Sequence, residues 1–257
     1  MNWDFTDIEF KVLCDRFAGG VLPDPFTFTS RTEHDDDYQR ELHEAREHLA
    51  GSLPFEFEGI AETISGPDVF ITVHGWCEAE PENPEKCIRL LGARRSARAC
   101  IVSQIPGESI WHSGGFSIIE CDPHDLAANL VARLPEAKPG GGLAIALDFD
   151  RTAHAAADWA RDDDDDYESE MRSRAFLSTL ADCAGEITIR QGRSVFGPRG
   201  VTEWSLLWRD LADDGRYVIE QDNPVAVGAS RRAIVERLDN LIRWMLCDID
   251  ARAEQEY

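Results

Sequence analysis

The sequence predicts an α+β fold with antiparallel strands, built from two similar halves. Three observations lead there. Four β-branched or aromatic-rich runs follow one another through short turns between Val69 and Asp122, as in a meander rather than alternating βαβ units. Segments with apolar residues at helical spacing stand before and after that group. Strand, acidic turn and helix then return in the same order. GFSIIECD from Gly115 aligns with GRYVIEQD from Gly215, sharing Gly, Ile119/Ile219, Glu120/Glu220 and Asp122/Asp222, and LVARL from Leu130 aligns with IVERL from Ile234. A period of about 100 residues is too long for a solenoid. It implies a duplicated half-domain, a pseudo-twofold internal repeat with halves of about 1–138 and 143–257 in one domain spanning 1–257.

The elements are predicted in order as follows. Thr6-Asp7-Ile8-Glu9 has the form of a capping box and opens a first helix that Gly19-Gly20 stops. Pro25–Ser30 alternates phenylalanine with hydroxyl residues and reads as a short half-buried strand. A second helix starts near His34, with Asp35–Asp37 at its positive end and Tyr38, Leu42, Ala45 and Leu49 as one apolar stripe up to Gly51. A short helix is expected around Gly59–Ile64. Strands follow at Val69–Cys77, Ile88–Ala93, Ala99–Gln104 and Phe116–Asp122, then a helix from about Asp125 to Leu134. Pro135–Gly142 is the best linker candidate. Beyond it come a strand at Leu143–Leu147, helices at about Thr152–Ala160 and Tyr167–Ala181, three strands (GEITIRQ, TEWSLLWRD, GRYVIEQ) and a final helix from about Ser230 to Asp248. The Asp162–Asp166 run reads as a solvated loop between two helices.

Composition narrows the function. With 257 residues, 43% hydrophobic and 9% aromatic, the chain can bury a core, and wholesale disorder is excluded. A net charge of −23, from 49 acidic and 26 basic residues, repels phosphate backbones and anionic lipid, so neither nucleic acid nor membrane is an expected partner. Seven scattered cysteines without a C-x-x-C pair read as reduced thiols. MNWDFTDIEF has neither the basic nor the apolar part of a signal peptide, and no run approaches the roughly 18 apolar residues of a membrane span. The expected location is cytoplasmic.

Few residues suggest chemistry. LAIALDFDRT, from Leu143, ends an apolar strand in the D-x-D-x-T pattern with which haloacid-dehalogenase-like, Mg²⁺-dependent phosphatases begin, which would make Asp148 the nucleophile and Asp150 the acid/base, beside Thr152. The rest of that constellation is missing, since no lysine follows the motif. The simpler reading is a strand end whose acids cap the next helix. His43 and His48 are five apart and face different ways, and HEAREH is not the H-E-x-x-H zinc motif. His74 alternates within a strand, and neither glycine-rich segment has nucleotide-loop spacing. Arg94, Arg95 and Arg98, in a hairpin, are expected to partner the chain's own acids. No cofactor, metal site or catalytic residue is expected.

LGARRSARACIVSQIPG (Leu91–Gly107) and FSIIECDPHDLAANLVARLP (Phe116–Pro135) resemble the EspG family of ESX secretion-associated proteins from actinobacterial type VII secretion. An L-G-x-R-R hairpin (Leu91, Gly92, Arg94, Arg95) and a D-P-x-x-L-A-x-x-L-V pattern (Asp122, Pro123, Leu126, Ala127, Leu130, Val131, then Leu134-Pro135) carry the likeness, most strongly over 88–135. The resemblance implies a central antiparallel sheet with flanking helical bundles, and a cytosolic chaperone without enzymatic activity that binds the apolar PPE tip of a PE–PPE heterodimer. It also allows a homodimer. The family's recognition surface uses the loop between its second and third strands and the C-terminal helical bundle. Here the first maps to Glu78, Glu80, Pro81, Glu82, Asn83 and Pro84, and the last helix offers Leu238, Ile242, Trp244 and Met245. The chaperone and phosphatase readings separate in a phosphate-release assay. No Mg²⁺-dependent turnover is expected, and turnover abolished by Asp148→Asn would overturn the chaperone reading.

Overall fold

The strands pair into one antiparallel sheet whose order is β1-β5-β4-β3-β2-β7-β8-β9-β10-β6. The computed structural model describes residues 1–17, 19–147, 164–192 and 200–254. Its strands are β1 (Asn2–Phe5), β2 (Val69–Trp76), β3 (Ile88–Arg95), β4 (Arg98–Pro106), β5 (Ser113–Cys121), β6 (Ile145–Ala146), β7 (Ala181–Gln191), β8 (Glu203–Leu211), β9 (Gly215–Glu220) and β10 (Asn223–Gly228). The helices are α1 (Asp7–Phe17), α2 (Asp35–Ser52), α3 (Glu56–Ser65), α4 (Leu126–Val131), α5 (Asp164–Ser178) and α6 (Arg231–Glu254). The expected meander is present as β2 to β5, and the α+β class with a large antiparallel sheet holds. β2 joins β7 along its whole length, from Val69 opposite Gln191 to Trp76 opposite Ala184. On either side of this seam the strand order is mirrored. By distance from the edge β5 corresponds to β10, whereas the aligned segments match β5 with β9.

The two sheet faces are covered differently. Along β2 the side chains alternate strictly between buried and half-buried. The buried set, Val69, Ile71 and Val73, joins Ile187, Ile189, Leu206 and Trp208 beneath α4 and α6, which contribute Leu126, Leu130, Leu238, Ile242 and Met245. On the opposite face α1 to α3 cover the first half, packing Phe10, Leu42 and Ile60 on Cys100, Phe116 and Ile118. α5 covers part of the second half, where Phe176 meets Leu211, Tyr217 and Ile219. Fully burying one such side chain contributes about 1.5–3 kcal/mol. Trp208 needs bare backbone beneath it. A Cβ on Gly185 would come within 2.3 Å of its ring, and one on Gly75 within 2.9 Å.

Local signals mark the first two helix starts. Thr6 and Glu9 form the capping box: Thr6 N–H donates to Glu9 Oε2 at 2.8 Å and Glu9 N–H to Thr6 Oγ1 at 3.2 Å. α2 opens at Asp35 and buries Leu42, Ala45 and Leu49 as expected, continuing one residue past Gly51.

Five expectations are corrected. Pro25–Ser30 is not a strand: no neighbour offers it a ladder. Phe26 instead packs against Phe10 and Phe116, and Thr27 N–H donates to the Gln104 side chain at 2.9 Å. β1 was not anticipated, being four residues long and ending against a helix cap. β10 was not anticipated because it contains Pro224, which has no N–H, and the β9–β10 register slips between Asn223 and Ala226 around it. Of the Asp162–Asp166 run expected as a loop, Asp164–Asp166 belong to the first turn of α5, and 162–163 lie outside the described residues. Pro135–Gly142 is tied down rather than a free linker. Buried Arg216 donates to Pro135 O at 2.8 Å, Gly140 N–H donates to Arg216 O at 2.8 Å, and Gly142 N–H donates to Tyr217 Oη at 3.0 Å. The Tyr217 ring lies where a Cβ on Gly140 would be, 2.2 Å away. Asp148, Asp150, Thr152 and the expected helix at 152–160 lie outside the described residues.

Replacing Thr6 by Ala is expected to lower unfolding stability by about 1 kcal/mol through the lost cap. Gly185→Ala should cost more, about 1–3 kcal/mol, by displacing Trp208. Urea midpoints check both, and an unchanged midpoint for Gly185→Ala would remove the Trp208 argument.

Candidate functional site

The β2–β3 loop leaves the sheet as a self-bonded knob. Glu80 N–H donates to Cys77 O, and Asn83 N–H to Glu80 O. The Asn83 side chain works in both directions, donating to Glu80 Oε2 at 2.7 Å and accepting from Glu85 N–H at 3.1 Å. That second bond caps the short 3₁₀ turn Pro84–Lys86. The Lys86 ammonium bonds the Glu80 carboxylate and holds it below the usual carboxylate range. Glu80, Pro81 and Glu82 are exposed, while Asn83 and Pro84 are half-buried and shape the loop from within. The loop thus presents acids on a fixed backbone.

Glu78 stands apart from the other loop acids. Its carboxylate faces inward and meets Arg209 of β8, with Arg209 Nη2 at 2.6 Å. It also accepts from Ala181 N–H at 2.8 Å. Sequence reasoning missed Arg209; the signal that could have found it is the charged pair Arg209-Asp210 within the run LLWRDL, because buried charges need partners. Asp210 itself pairs with Arg216 at 2.6 Å.

The α6 residues divide. Leu238, Ile242 and Met245 are 0%, 3% and 1% exposed, packed on the sheet, so the expectation that they meet a partner is corrected: their apolar stripe is spent on the core. Trp244 is 47% exposed and meets Trp204, 36% exposed, edge to face at 6.2 Å. Sequence reasoning missed Trp204. It alternates with Leu206 and Trp208, which predicts burial, and only its place at the strand end leaves it open. Trp204 is level with Ile189 and Ile71, six residues before Cys77. At about 3.3 Å per residue the tryptophan pair stands about 20 Å along the strands from the loop base. The structure does not bring the two predicted patches together.

Between α3 and α5 the middle of the sheet carries Thr72, His74 and Trp76 beside Glu186 and Thr188, all half-buried. His74 Nε2 and Cys87 Sγ are 4.0 Å apart. Burial, then the nearby Arg89, lowers the His74 pKa, and burial raises that of Cys87. Both changes favour neutral forms, whereas a catalytic cysteine needs its thiolate. No group of three or more potential metal ligands occurs among the described residues. In the Arg94–Arg98 hairpin Arg95 meets an acid, with Nη1 3.6 Å from the Glu62 carboxylate, and it also donates to Glu62 O at 3.1 Å.

Thiol chemistry checks this assignment. Burial pushes Cys14 up to about 12 and Cys183 to about 11, while Cys247 is exposed. Iodoacetamide at neutral pH should label Cys247 at least about tenfold faster than Cys87 or the buried thiols. Equal labelling of Cys87 in peptide mass spectra would contradict a neutral thiol there.

A family model described as the EspG family matches residues 6–240. Among solved structures the chain is similar to one described as the Mycobacterium tuberculosis type VII secretion system chaperone EspG5 in complex with a PE25–PPE41 dimer. The TM-score is 0.55 at 12% identity, covering 91% of this chain and 93% of the other. No curated protein matches. Identity this low speaks for the fold alone, but the family match spans nearly the whole chain. The chain belongs to the EspG family.

Proposed function

We propose that this protein is a cytosolic, non-catalytic secretion chaperone that holds a PE–PPE heterodimer by its PPE tip for a type VII machine. Membership of the EspG family over residues 6–240 carries the proposal. A neighbour of the same fold that was solved with a PE25–PPE41 dimer adds support. A chaperone needs a surface fixed before its client arrives, since preorganisation reduces the cost of binding. The β2–β3 loop, with Glu80, Pro81 and Glu82 outward and its backbone bonded to itself, meets that need. The Trp204–Trp244 pair is a second contact, of the amphipathic aromatic kind enriched at binding hot spots. At about 20 Å apart the two patches suit an elongated helical client touching both. The acidic surface keeps a chaperone with an apolar client soluble. We also read the mirrored strand order about the β2·β7 seam as the trace of a duplicated half-domain, and leave a homodimer as a state in which the free chaperone rests.

Co-expression with the PE–PPE pair encoded nearest the chaperone gene is the test. A soluble ternary complex should elute as one species, while the pair alone precipitates. Replacing Trp204 and Trp244 together by Ala should weaken it about tenfold or more, and Glu82→Lys should weaken it independently. A pair that is equally soluble alone and does not co-elute would overturn the function.

A further inference from the structure

We infer that Arg209 is the positioning residue of the β2–β3 loop, fastening the loop base and the C-terminal end of α5 into one unit. The inference rests on the proposed role of that loop in client binding. Arg209 reaches out of β8, where it lies opposite Ala184 of β7, and Ala184 in turn lies opposite Trp76, the last residue of β2. Its guanidinium reaches past β7 to the loop that follows β2. Nε donates to Glu78 Oε1 at 3.2 Å and Nη2 to Glu78 Oε2 at 2.6 Å, the two-point contact that a planar fork makes with a carboxylate. The same group donates from Nη1 to Phe176 O at 2.7 Å and from Nη2 to Thr179 O at 2.6 Å.

Those carbonyls sit in the last turn of α5 and just past it, where a helix leaves acceptors without intrahelical partners and favours a cation. The flat face of the guanidinium rests over the Phe176 ring at 5.1 Å. Glu78 is held from the other side as well, through Ala181 N–H to its carboxylate and its own N–H to Ala181 O. The Arg209 and Glu78 side chains are only 11% and 23% exposed, so solvent competes weakly for these bonds. The hydrogen bonds that Glu78 makes to the second half thus run to one guanidinium and to Ala181, the residue that starts β7. Lysine would keep the charge but has no planar fork to satisfy Glu78 and two carbonyls at once.

The test is amide hydrogen exchange on the free, full-length chain, with Arg209→Lys and Glu78→Gln as variants. Exchange in segments 77–88 and 174–181 should accelerate together by about tenfold or more in both variants, with α1 to α3 unchanged; tenfold corresponds to about 1.4 kcal/mol, close to the lower end of what one hydrogen bond to a charged group contributes. Acceleration everywhere in proportion would reduce Arg209 to a residue of general stability, and unchanged loop exchange would overturn the inference. Arg209→Lys is the more drastic variant. If it fails to fold, Glu78→Gln still decides, because it removes one charge at the loop and leaves the arginine in place. Binding of the PE–PPE pair is then measured separately. A wild-type chain that captures no pair refutes the client reading without touching the exchange result.

Discussion

The pairing of β2 with β7 is the interaction on which the rest of the structure depends. Without it the chain would present two five-strand sheets, each with a long apolar edge open to further pairing. With it, eight consecutive residues of β2 complete their ladder, and one sheet results whose edges are only the short β1 and β6. The seam also creates the platform for Trp208. Gly75 and Gly185 face each other across it, and the indole lies on the bare backbone they leave. α6 then closes over the seam with Leu238, Ile242 and Met245. The buried stripe of the last helix is thus committed to holding two halves together and is withdrawn from any partner.

A second layer of constraint comes from arginines buried in the second half. Arg216 and Arg209 stand on neighbouring strands; Arg216 combines a carboxylate with one backbone carbonyl, and Arg209 a carboxylate with two. Taking a guanidinium out of water is costly unless its donors are satisfied, and removing one partner of such a pair is far worse than removing both. These arginines therefore specify where chain segments sit more than they add stability. Arg216 fixes the Pro135–Gly142 segment against β9, which turns an apparent linker into part of the fold. Arg209 does the same for the base of the β2–β3 loop and the end of α5.

Function follows from what these constraints leave outside. The loop keeps its acids on a fixed frame, the aromatic pair keeps two indoles at the surface, and the polar middle of the sheet keeps its histidine and cysteine in neutral forms. The arrangement offers surfaces for binding, without an activated nucleophile among the described residues.

The sequence by itself determined the elements whose signals are local. The capping box at Thr6, the stripe of α2, the meander β2 to β5 and the family-like hairpin at Leu91–Arg95 could all be read from neighbours within a few residues. It also carried the family, through motifs that lie close together in the chain. The tertiary structure alone decided what depends on distant partners. Pro25–Ser30 has a strand's alternation but no strand beside it, whereas β10 has a proline and still pairs. Leu238 and Trp244 stand on one helix, yet only the packing direction of that helix separates core from surface. Glu78 looks like any loop acid until Arg209, 131 residues later, turns it inward. Local propensity sees a few residues along the chain, and burial and ion pairing are set by contacts that only the folded sheet creates.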